Sequence, residues 1–161
     1  MKIGSLFTGI GGLELGVCNI MTSIAPYGND IEWIAETDGN ALKILDHSTM
    51  FHGVPNLGDV AKIDWSAVPD VDCITGGTPC QDFSHLGARK GLEDEKSSLL
   101  YAFIEAVKAK KPDYVLWENV AGALTKGEYD VLLDALNEAD YSTSSVILPA
   151  SRLGMPHKRS S

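Results

Sequence analysis

The sequence predicts an α/β protein with a Rossmann-like, mostly parallel sheet and helices on both faces. Short apolar runs alternate with longer amphipathic segments along the 161 residues. This alternation is typical of strands joined by right-handed helical crossovers. In addition, the first apolar run leads into the glycine-rich stretch FTGIGG, which opens a helical pattern. In sheets of this kind, ligands bind beyond the carboxyl ends of the strands.

The first half of the chain is predicted to form two strand–helix units and a third strand. Strands are expected at residues 2–7 and 31–36, because both runs are short and apolar. Helices are expected at residues 12–24 and 40–51, where apolar residues recur at helical spacing. The stretch NLGDVAKI, residues 56–63, is interpreted as a short third strand and its turn.

The second half continues the alternation. Strands are predicted at residues 71–77, 113–120 and 141–148, and helices at 97–111 and 125–139. The helix at 97–111 has an apolar stripe and is stopped by Pro112. Thr125 and Glu128 can form a capping box at the start of the last helix. A polar loop of about 20 residues leads to Lys96, and loops of that length are usually functional.

Composition excludes several classes of protein. The net charge is −9, from 13 basic and 22 acidic residues, which is unusual for a protein that binds nucleic acid without a partner. Residues 150–161 reverse this balance, since they carry Arg152, Lys158 and Arg159 and no acid. The three cysteines include no CxxC pair, so neither a disulfide framework nor a metal site is expected. Without a long apolar run or a secretory signal, a cytoplasmic location is expected.

The glycine turn and two acidic residues together predict a nucleoside-cofactor site. Glycines at 9, 11 and 12 allow a tight turn and a close approach of the backbone to a ligand. Glu36 ends the second predicted strand, where an acid commonly holds ribose hydroxyls, and Asp59 could take an adenine amino group. Taken singly, the glycines also fit a plain helix-entry turn, and Glu36 also fits a solvated strand end. A P-loop is not expected, because its lysine is absent.

Cys80 is a candidate nucleophile. It follows the fourth predicted strand in the stretch TGGTPCQDFS, at the mouth of the expected site. A lone cysteine is more often structural, and Cys73, inside the strand, fits that role. Glu118 ends the neighbouring strand and can face the same pocket. A nucleophile beside a carboxyl group suits covalent catalysis on an electrophilic ring.

These motifs resemble the DNA (cytosine-5)-methyltransferases, in order and over nearly the whole chain. SLFTGIGGLELG resembles their S-adenosylmethionine motif, GGTPCQDFSHLG their catalytic motif, WENV their glutamate motif and RLGMPHKR the start of a later basic motif. The resemblance implies an S-adenosylmethionine-dependent methyltransferase fold. It also implies a set of cofactor-binding residues: Phe7, Thr8, Gly9, Gly11, Gly12, Leu13, Glu36, Asp59, Val60, Pro79 and Leu99.

The catalytic roles implied by this resemblance fall on Cys80, Glu118 and Arg159. Cys80 would add to carbon 6 of a cytosine flipped out of the duplex, and Glu118 would hold ring nitrogen 3 and the amino group. Arg159 would contact the base or support the catalytic loop. Arg89 and Lys90 could touch phosphates.

The sequence departs from the family pattern near its end. His157 stands where glutamine is more usual, and Ser161 stands where a second arginine is expected. We therefore expect residues 1–161 to form one catalytic domain without the family's target-recognition domain and C-terminal helix. Double-stranded DNA is the expected partner, bound weakly by this chain alone, and a second polypeptide could supply the remaining parts. The alternatives are an inactive relic, a cofactor-binding subunit, or an S-adenosylmethionine enzyme with another substrate.

Overall fold

A computed structural model describes residues 1–24, 30–79, 99–124 and 127–153. Its centre is a parallel sheet of four strands in the order β2-β1-β3-β4. The strands are β1 (Lys2–Leu6), β2 (Asp30–Ala35), β3 (Cys73–Gly76) and β4 (Tyr114–Trp117). The predicted α/β class and the parallel sheet are confirmed. The order reverses direction at β1 and β3, and ligands bind at such a switch point in open α/β sheets.

Within the described residues, four α-helices connect or follow the strands, and each lies inside or overlaps a segment predicted to be helical. They are α1 (Gly12–Ile24), α2 (Gly39–Asp46), α3 (Leu99–Lys110) and α4 (Glu128–Glu138). Asp38 caps α2, because its carboxylate accepts the backbone N–H groups of Asn40 and Ala41. The helix ends at Asp46, five residues before the predicted end, since the next N–H groups bond in tighter turns to Ile44 and Leu45. Short 3₁₀ turns occur at Val60–Lys62, Trp65–Ala67, Ala121–Leu124 and Ala150–Leu153.

The helices cover both faces of the sheet, as predicted. Successive residues of a strand point to opposite faces. Trp33 of β2 belongs to a core with Leu6, Ile74 and the apolar stripes of α3 and α4. Ile34, the next residue, packs with Leu45 of α2 and with Phe51. In the described part of the chain, no helix is both long enough and apolar enough to cross a bilayer.

The prediction of a third strand at residues 56–63 is wrong. A single bridge pairs Asn56 with Ile34, and a 3₁₀ turn follows at Val60–Lys62. Pro55 has no N–H to continue a ladder, and Gly58 turns the chain with a φ of +76°. The segment lies beside β2 without extending the sheet.

The sixth predicted strand, residues 141–148, is also absent. Residues 142–148 are exposed, including Val146 at 70%. A strand needs a neighbour to take its backbone hydrogen bonds, and no described strand lies alongside this segment.

The predicted capping box at the start of α4 is wrong as well. Gly127 is the N-cap of α4 and makes no side-chain cap bond, so the helix begins later than Thr125 would require.

Candidate active site

A cavity of about 210 Å³ lies beyond the carboxyl ends of β1, β2 and β3. Pockets for drug-sized ligands commonly measure roughly 300–1,000 Å³, so the cavity between the described residues is smaller than that class. The lining combines apolar side chains with two carboxylates. It consists of Phe7, Ala35, Glu36, Thr37, Gly58, Asp59, Val60, Gly77, Pro79 and Leu99.

Six of the residues expected to bind a cofactor come together in this lining: Phe7, Glu36, Asp59, Val60, Pro79 and Leu99. They come from five separate parts of the chain. The other five, from the glycine turn and the start of α1, do not line the cavity. Thr8 is buried and its hydroxyl contacts Ser5 inside the protein, so its side chain does not face the cavity.

Phe7, which lines the cavity, has a strained backbone conformation. Phe7 has a φ of 54°, which is uncommon for a bulky side chain and costs about 1–3 kcal/mol. This left-handed turn ends β1 one residue before the predicted strand end. It also sets the Phe7 ring against the cavity, while the Phe7 N–H stays bonded to the Ala35 carbonyl at 2.9 Å.

Glu36 holds the glycine turn in place. Its Oε2 accepts the Gly9 N–H at 2.7 Å, and its Oε1 accepts the N–H groups of Thr37 and Asp38, each at 2.7 Å. A carboxylate offers about four acceptor positions, two on each oxygen. Oε1 is therefore fully used, and Oε2 keeps one position for a further donor. Glu36 is thus both a structural acceptor and a group that can bind one ligand hydroxyl.

Asp59 lines the same cavity. Its carboxylate accepts the Ala61 N–H at 3.1 Å and pairs with Lys62 at 2.8 Å. The hydrogen bond from Lys62 and the one from the Ala61 N–H lower the pKa of the Asp59 carboxyl below its usual value. The group is therefore an anion near neutral pH, and it can accept a hydrogen bond from an amino group.

Asn56 joins these two acidic positions. Its Oδ1 accepts the N–H groups of Glu36 at 3.0 Å and Gly58 at 3.1 Å, and its Nδ2 donates to the Glu36 carbonyl at 3.0 Å. The Asn56 side chain therefore makes the hydrogen bonds to the Glu36 backbone that the predicted third strand would have made. Sequence reasoning missed Asn56, although an asparagine two residues before a glycine is a known turn signal.

The ends of β3 and β4 are joined by hydrogen bonds to the neutral Thr78 hydroxyl. The Thr78 hydroxyl accepts from the Trp117 indole N–H and the Asn119 amide, both at 3.1 Å. The Asn119 amide also lies 3.1 Å from the Thr78 carbonyl. These contacts fasten the segment before Cys80 to the WENV segment. Neither Thr78 nor Asn119 was predicted as a site residue, because their pairing depends on the strand order.

Glu118 lies next to the cavity wall. A Cβ atom at Gly77 would lie 3.2 Å from the Glu118 carbonyl oxygen and 3.3 Å from its Oε2. Gly77 lines the cavity, so its missing side chain lets the Glu118 carboxylate approach the rim. The expected neighbourhood of Glu118 and the strand end that precedes Cys80 is therefore present.

Cys73 has the environment of a structural cysteine. It is 3% exposed, and burial, reinforced by Glu14 and Asp72, raises the pKa of its thiol to about 11. Burial and Glu14 also raise the pKa of Cys18. Both thiols are therefore protonated near neutral pH and poorly nucleophilic. Cys80, Arg159, Arg89 and Lys90 lie outside the described residues, as do His157 and Ser161.

Comparison with known proteins agrees with these observations. The family model for C-5 cytosine-specific DNA methylases matches residues 1–160. The chain belongs to that family. It is 34% identical to the orphan methyltransferase M.SPRI of Bacillus phage SPR and 31% identical to the type II methyltransferase M.HhaI of Haemophilus parahaemolyticus. Each match covers 99% of this methylase-family chain, but only 36% and 46% of those relatives.

Solved structures show the same fold. The Dnmt2 methyltransferase of S. pombe superposes with a TM-score of 0.77 at 21% identity, and a DNMT2 variant of Spodoptera frugiperda with 0.74 at 22%. Both matches cover 99% of the chain and 48% of the solved one. The predicted methyltransferase fold is therefore confirmed, over about half the length of those proteins.

Proposed function

We propose that this chain provides the cofactor-binding and catalytic part of a DNA (cytosine-5)-methyltransferase with Cys80 as its nucleophile. The observation that supports this most is one cavity that gathers Phe7, Glu36 and Asp59, with the Glu118 carboxylate close to its Gly77 wall. The family membership supports the same chemistry. Methylation of DNA by the protein as a whole is part of the proposal, because the chain spans less than half of the relatives named above.

The residues of the cavity fit S-adenosylmethionine. Its ribose hydroxyls and adenine amino group are hydrogen-bond donors, and the cavity offers the remaining acceptor position on Glu36 and the Asp59 carboxylate. Phe7, Val60 and Leu99 provide apolar walls for a planar ring. The bound cofactor would supply an electrophilic methyl group. Glycines 9, 11 and 12 would act by keeping the turn compact rather than by lining the cavity.

The proposed work of the chain's own residues is covalent activation of the base. The Cys80 thiolate forms a bond to carbon 6 of cytosine, and the ring electrons move to carbon 5, which becomes nucleophilic. Glu118 hydrogen-bonds ring nitrogen 3 and the amino group and stabilises the redistributed charge. After carbon 5 is methylated, its proton leaves to a base. The carbon 5–carbon 6 double bond then reforms as the carbon–sulfur bond breaks.

Recognition of a DNA sequence is proposed to need polypeptide equivalent to the relatives' remaining length, in the same or a second chain. The net charge of −9 supports this, because phosphate contacts dominate the affinity for nucleic acid. A gel-shift titration at a fixed salt concentration should show weak binding of duplex DNA by the chain alone, with no preference among sequences. Tight, sequence-specific binding would contradict that expectation.

The decisive experiment is covalent trapping on DNA that carries 5-fluorocytosine, with S-adenosylmethionine present. Fluorine cannot leave carbon 5 as a proton does, so the adduct with the nucleophile accumulates. Cys80→Ser should abolish the adduct, because a serine hydroxyl is a far weaker nucleophile. Cys73→Ser and Cys18→Ser are the matched controls and should keep it.

The trapping assay also distinguishes the alternatives. It should be run with the chain alone and with the polypeptide that matches the rest of the relatives' length. An adduct only with both identifies a subunit that depends on a second part. Methylation that persists in Cys80→Ser would refute the nucleophile assignment. No adduct in any combination would favour an inactive cofactor-binding relic.

A further inference from the structure

A buried carboxylate lies behind the glycine turn, outside the cavity. Glu14 belongs to the first turn of α1 and is 1% exposed. An acid in the first turn of a helix usually remains solvated while it interacts with the helix dipole. Glu14 instead points into the protein, toward β1 and β3, where only well-bonded charges are normally found. The hydrogen bonds that the buried Glu14 carboxylate makes therefore indicate its role.

The Glu14 carboxylate collects two hydroxyl groups from neighbouring strands. Its Oε1 accepts from Ser5 of β1 at 2.9 Å and from Thr75 of β3 at 2.5 Å. Both of these residues are fully buried. Its Oε2 has no hydrogen-bond partner among the described residues. One oxygen therefore makes all the described hydrogen bonds of this carboxylate.

These bonds fix the direction of a hydrogen-bond chain that reaches the glycine turn. A hydroxyl has one proton to donate, and the proton of Ser5 goes to Glu14. In the 2.8 Å contact between the Ser5 and Thr8 hydroxyls, Thr8 must therefore be the donor. The chain runs from Thr8 to Ser5 to Glu14, and it ends at the Glu14 Oε1, which accepts from both Ser5 and Thr75.

Thr8 lies between the two residues that shape the cavity. Phe7 forms part of the wall, and the Gly9 N–H donates to Glu36. The Thr8 carbonyl also accepts the Gly11 N–H at 2.9 Å, which closes the turn. Holding Thr8 by its side chain therefore holds the direction of the Gly9 N–H and, through it, the Glu36 carboxylate.

We infer that Glu14 is a positioning residue for the cofactor site, because it is the acceptor that orients the hydroxyl chain holding the glycine turn. The inference rests on the proposed cofactor site and adds a buried residue that does not touch the ligand. It requires an oxygen acceptor at this position rather than a negative charge. An amide oxygen can accept from Ser5 and Thr75 as the carboxylate does.

The test is calorimetric titration with S-adenosylhomocysteine, the demethylated cofactor, together with thermal unfolding of each variant. Glu14→Leu removes the acceptor and should weaken binding by about tenfold, the effect of losing one to two hydrogen bonds. Glu14→Gln should bind within about threefold of the unmodified chain even though its buried NH₂ group lowers Tm. Leu136→Ala, in the core on α4, is the control: it should lower Tm and leave binding unchanged.

Retention of binding in Glu14→Gln and its loss in Glu14→Leu would support the inference, since a merely structural role would make affinity follow Tm. Full affinity in folded Glu14→Leu would overturn it, and so would equal weakening in Leu136→Ala. If Glu14→Leu does not fold, Ser5→Ala decides, and unchanged affinity in that variant overturns the inference. If the unmodified chain does not bind the probe, the proposed cofactor site itself fails, and the inference fails with it.

Discussion

The two ends of the cavity rim are held by different chemistry. At the carboxyl ends of β1 and β2, the Glu36 carboxylate accepts three backbone N–H groups. At the ends of β3 and β4, the neutral Thr78 hydroxyl accepts from Trp117 and Asn119. A carboxylate makes stronger hydrogen bonds and still keeps an acceptor position for a ligand. The Thr78 hydroxyl with its donors Trp117 and Asn119, here called the threonine clamp, fixes only the backbone that leads to Cys80. We therefore expect the Glu36 carboxylate to bind the cofactor and the Thr78 hydroxyl to position the backbone.

The largest stability effect is expected at the neutral end. Thr78→Val keeps the shape of the side chain and removes the acceptor used by the Trp117 indole. Loss of the partner of a buried donor costs about 1–3 kcal/mol. This bond is partly buried, so a cost of about 1 kcal/mol is expected, which lowers Tm by roughly 2–4 °C in a chain of this size. Thr78→Ser keeps the hydroxyl and is the matched control. An equal Tm for the valine and serine variants would show that the clamp contributes nothing to stability.

A comparable or smaller effect is expected at Asn56, which supports the charged end. Asn56→Asp keeps the acceptor for the Glu36 and Gly58 N–H groups but replaces the donor to the Glu36 carbonyl with a second oxygen. Loss of that hydrogen bond should cost about 0.5–1.5 kcal/mol in unfolding by denaturant. Asn137→Asp, at an exposed position on α4, serves as the control for the added charge. Equal costs for the two variants would mean that Asn56 does not support the Glu36 backbone.

The smallest effect is on the pH dependence of stability. The pKa of Asp38 is lowered by the Ala41 and Asn40 N–H groups, and that of Asp59 is lowered by Lys62 and the Ala61 N–H. A lowered folded-state pKa gives stability that is present above the unfolded value of about 3.9 and is lost as pH falls through the folded pKa. Asp38→Asn still caps α2 but does not titrate, so its Tm should fall less steeply below about pH 4.

Thr78→Ser provides the contrast for that pH series. The Thr78→Ser substitution changes no titrating group, so its Tm should follow that of the unmodified chain in parallel through the acid range. If the Asp38→Asn variant loses stability with acid as steeply as the unmodified chain, the Asp38 carboxylate does not contribute to acid sensitivity.

The sequence predicted those elements whose pattern is local. The bounds of α1 were predicted to the residue from its apolar spacing, and the four observed strands lie within or overlap predicted runs. Residues 56–63 and 141–148 have strand-like composition, but a strand also depends on a neighbour. Pro55 and Gly58 prevent pairing in the first case. In the second, no described strand lies alongside.

The site was predictable to the extent that it depends on strand ends. Glu36 and Gly77 come together because the parallel strands β2 and β3 end at the same edge, whereas Asp59 reaches the cavity from a 3₁₀ turn. The roles of Glu14 and Thr78, and the contact of Asn56 with Glu36, were not predictable, since each depends on a partner from a distant part of the chain. The signal for Asn56 was present in its spacing to Gly58. For a buried first-turn glutamate there is no equivalent sequence signal.

The central claim is that the Glu36 carboxylate binds the cofactor, whereas the Thr78 hydroxyl only positions the backbone. Calorimetric titration with S-adenosylhomocysteine on three proteins tests it most directly: the unmodified chain, Glu36→Gln and Thr78→Ser. Glu36→Gln keeps the side-chain shape but replaces one oxygen with a donor, and it should weaken binding by at least about tenfold, since hydrogen bonds to charged groups contribute about 1.5–3 kcal/mol. Thr78→Ser should bind as the unmodified chain does. Unchanged affinity in a folded Glu36→Gln protein would contradict the account and place the cofactor elsewhere.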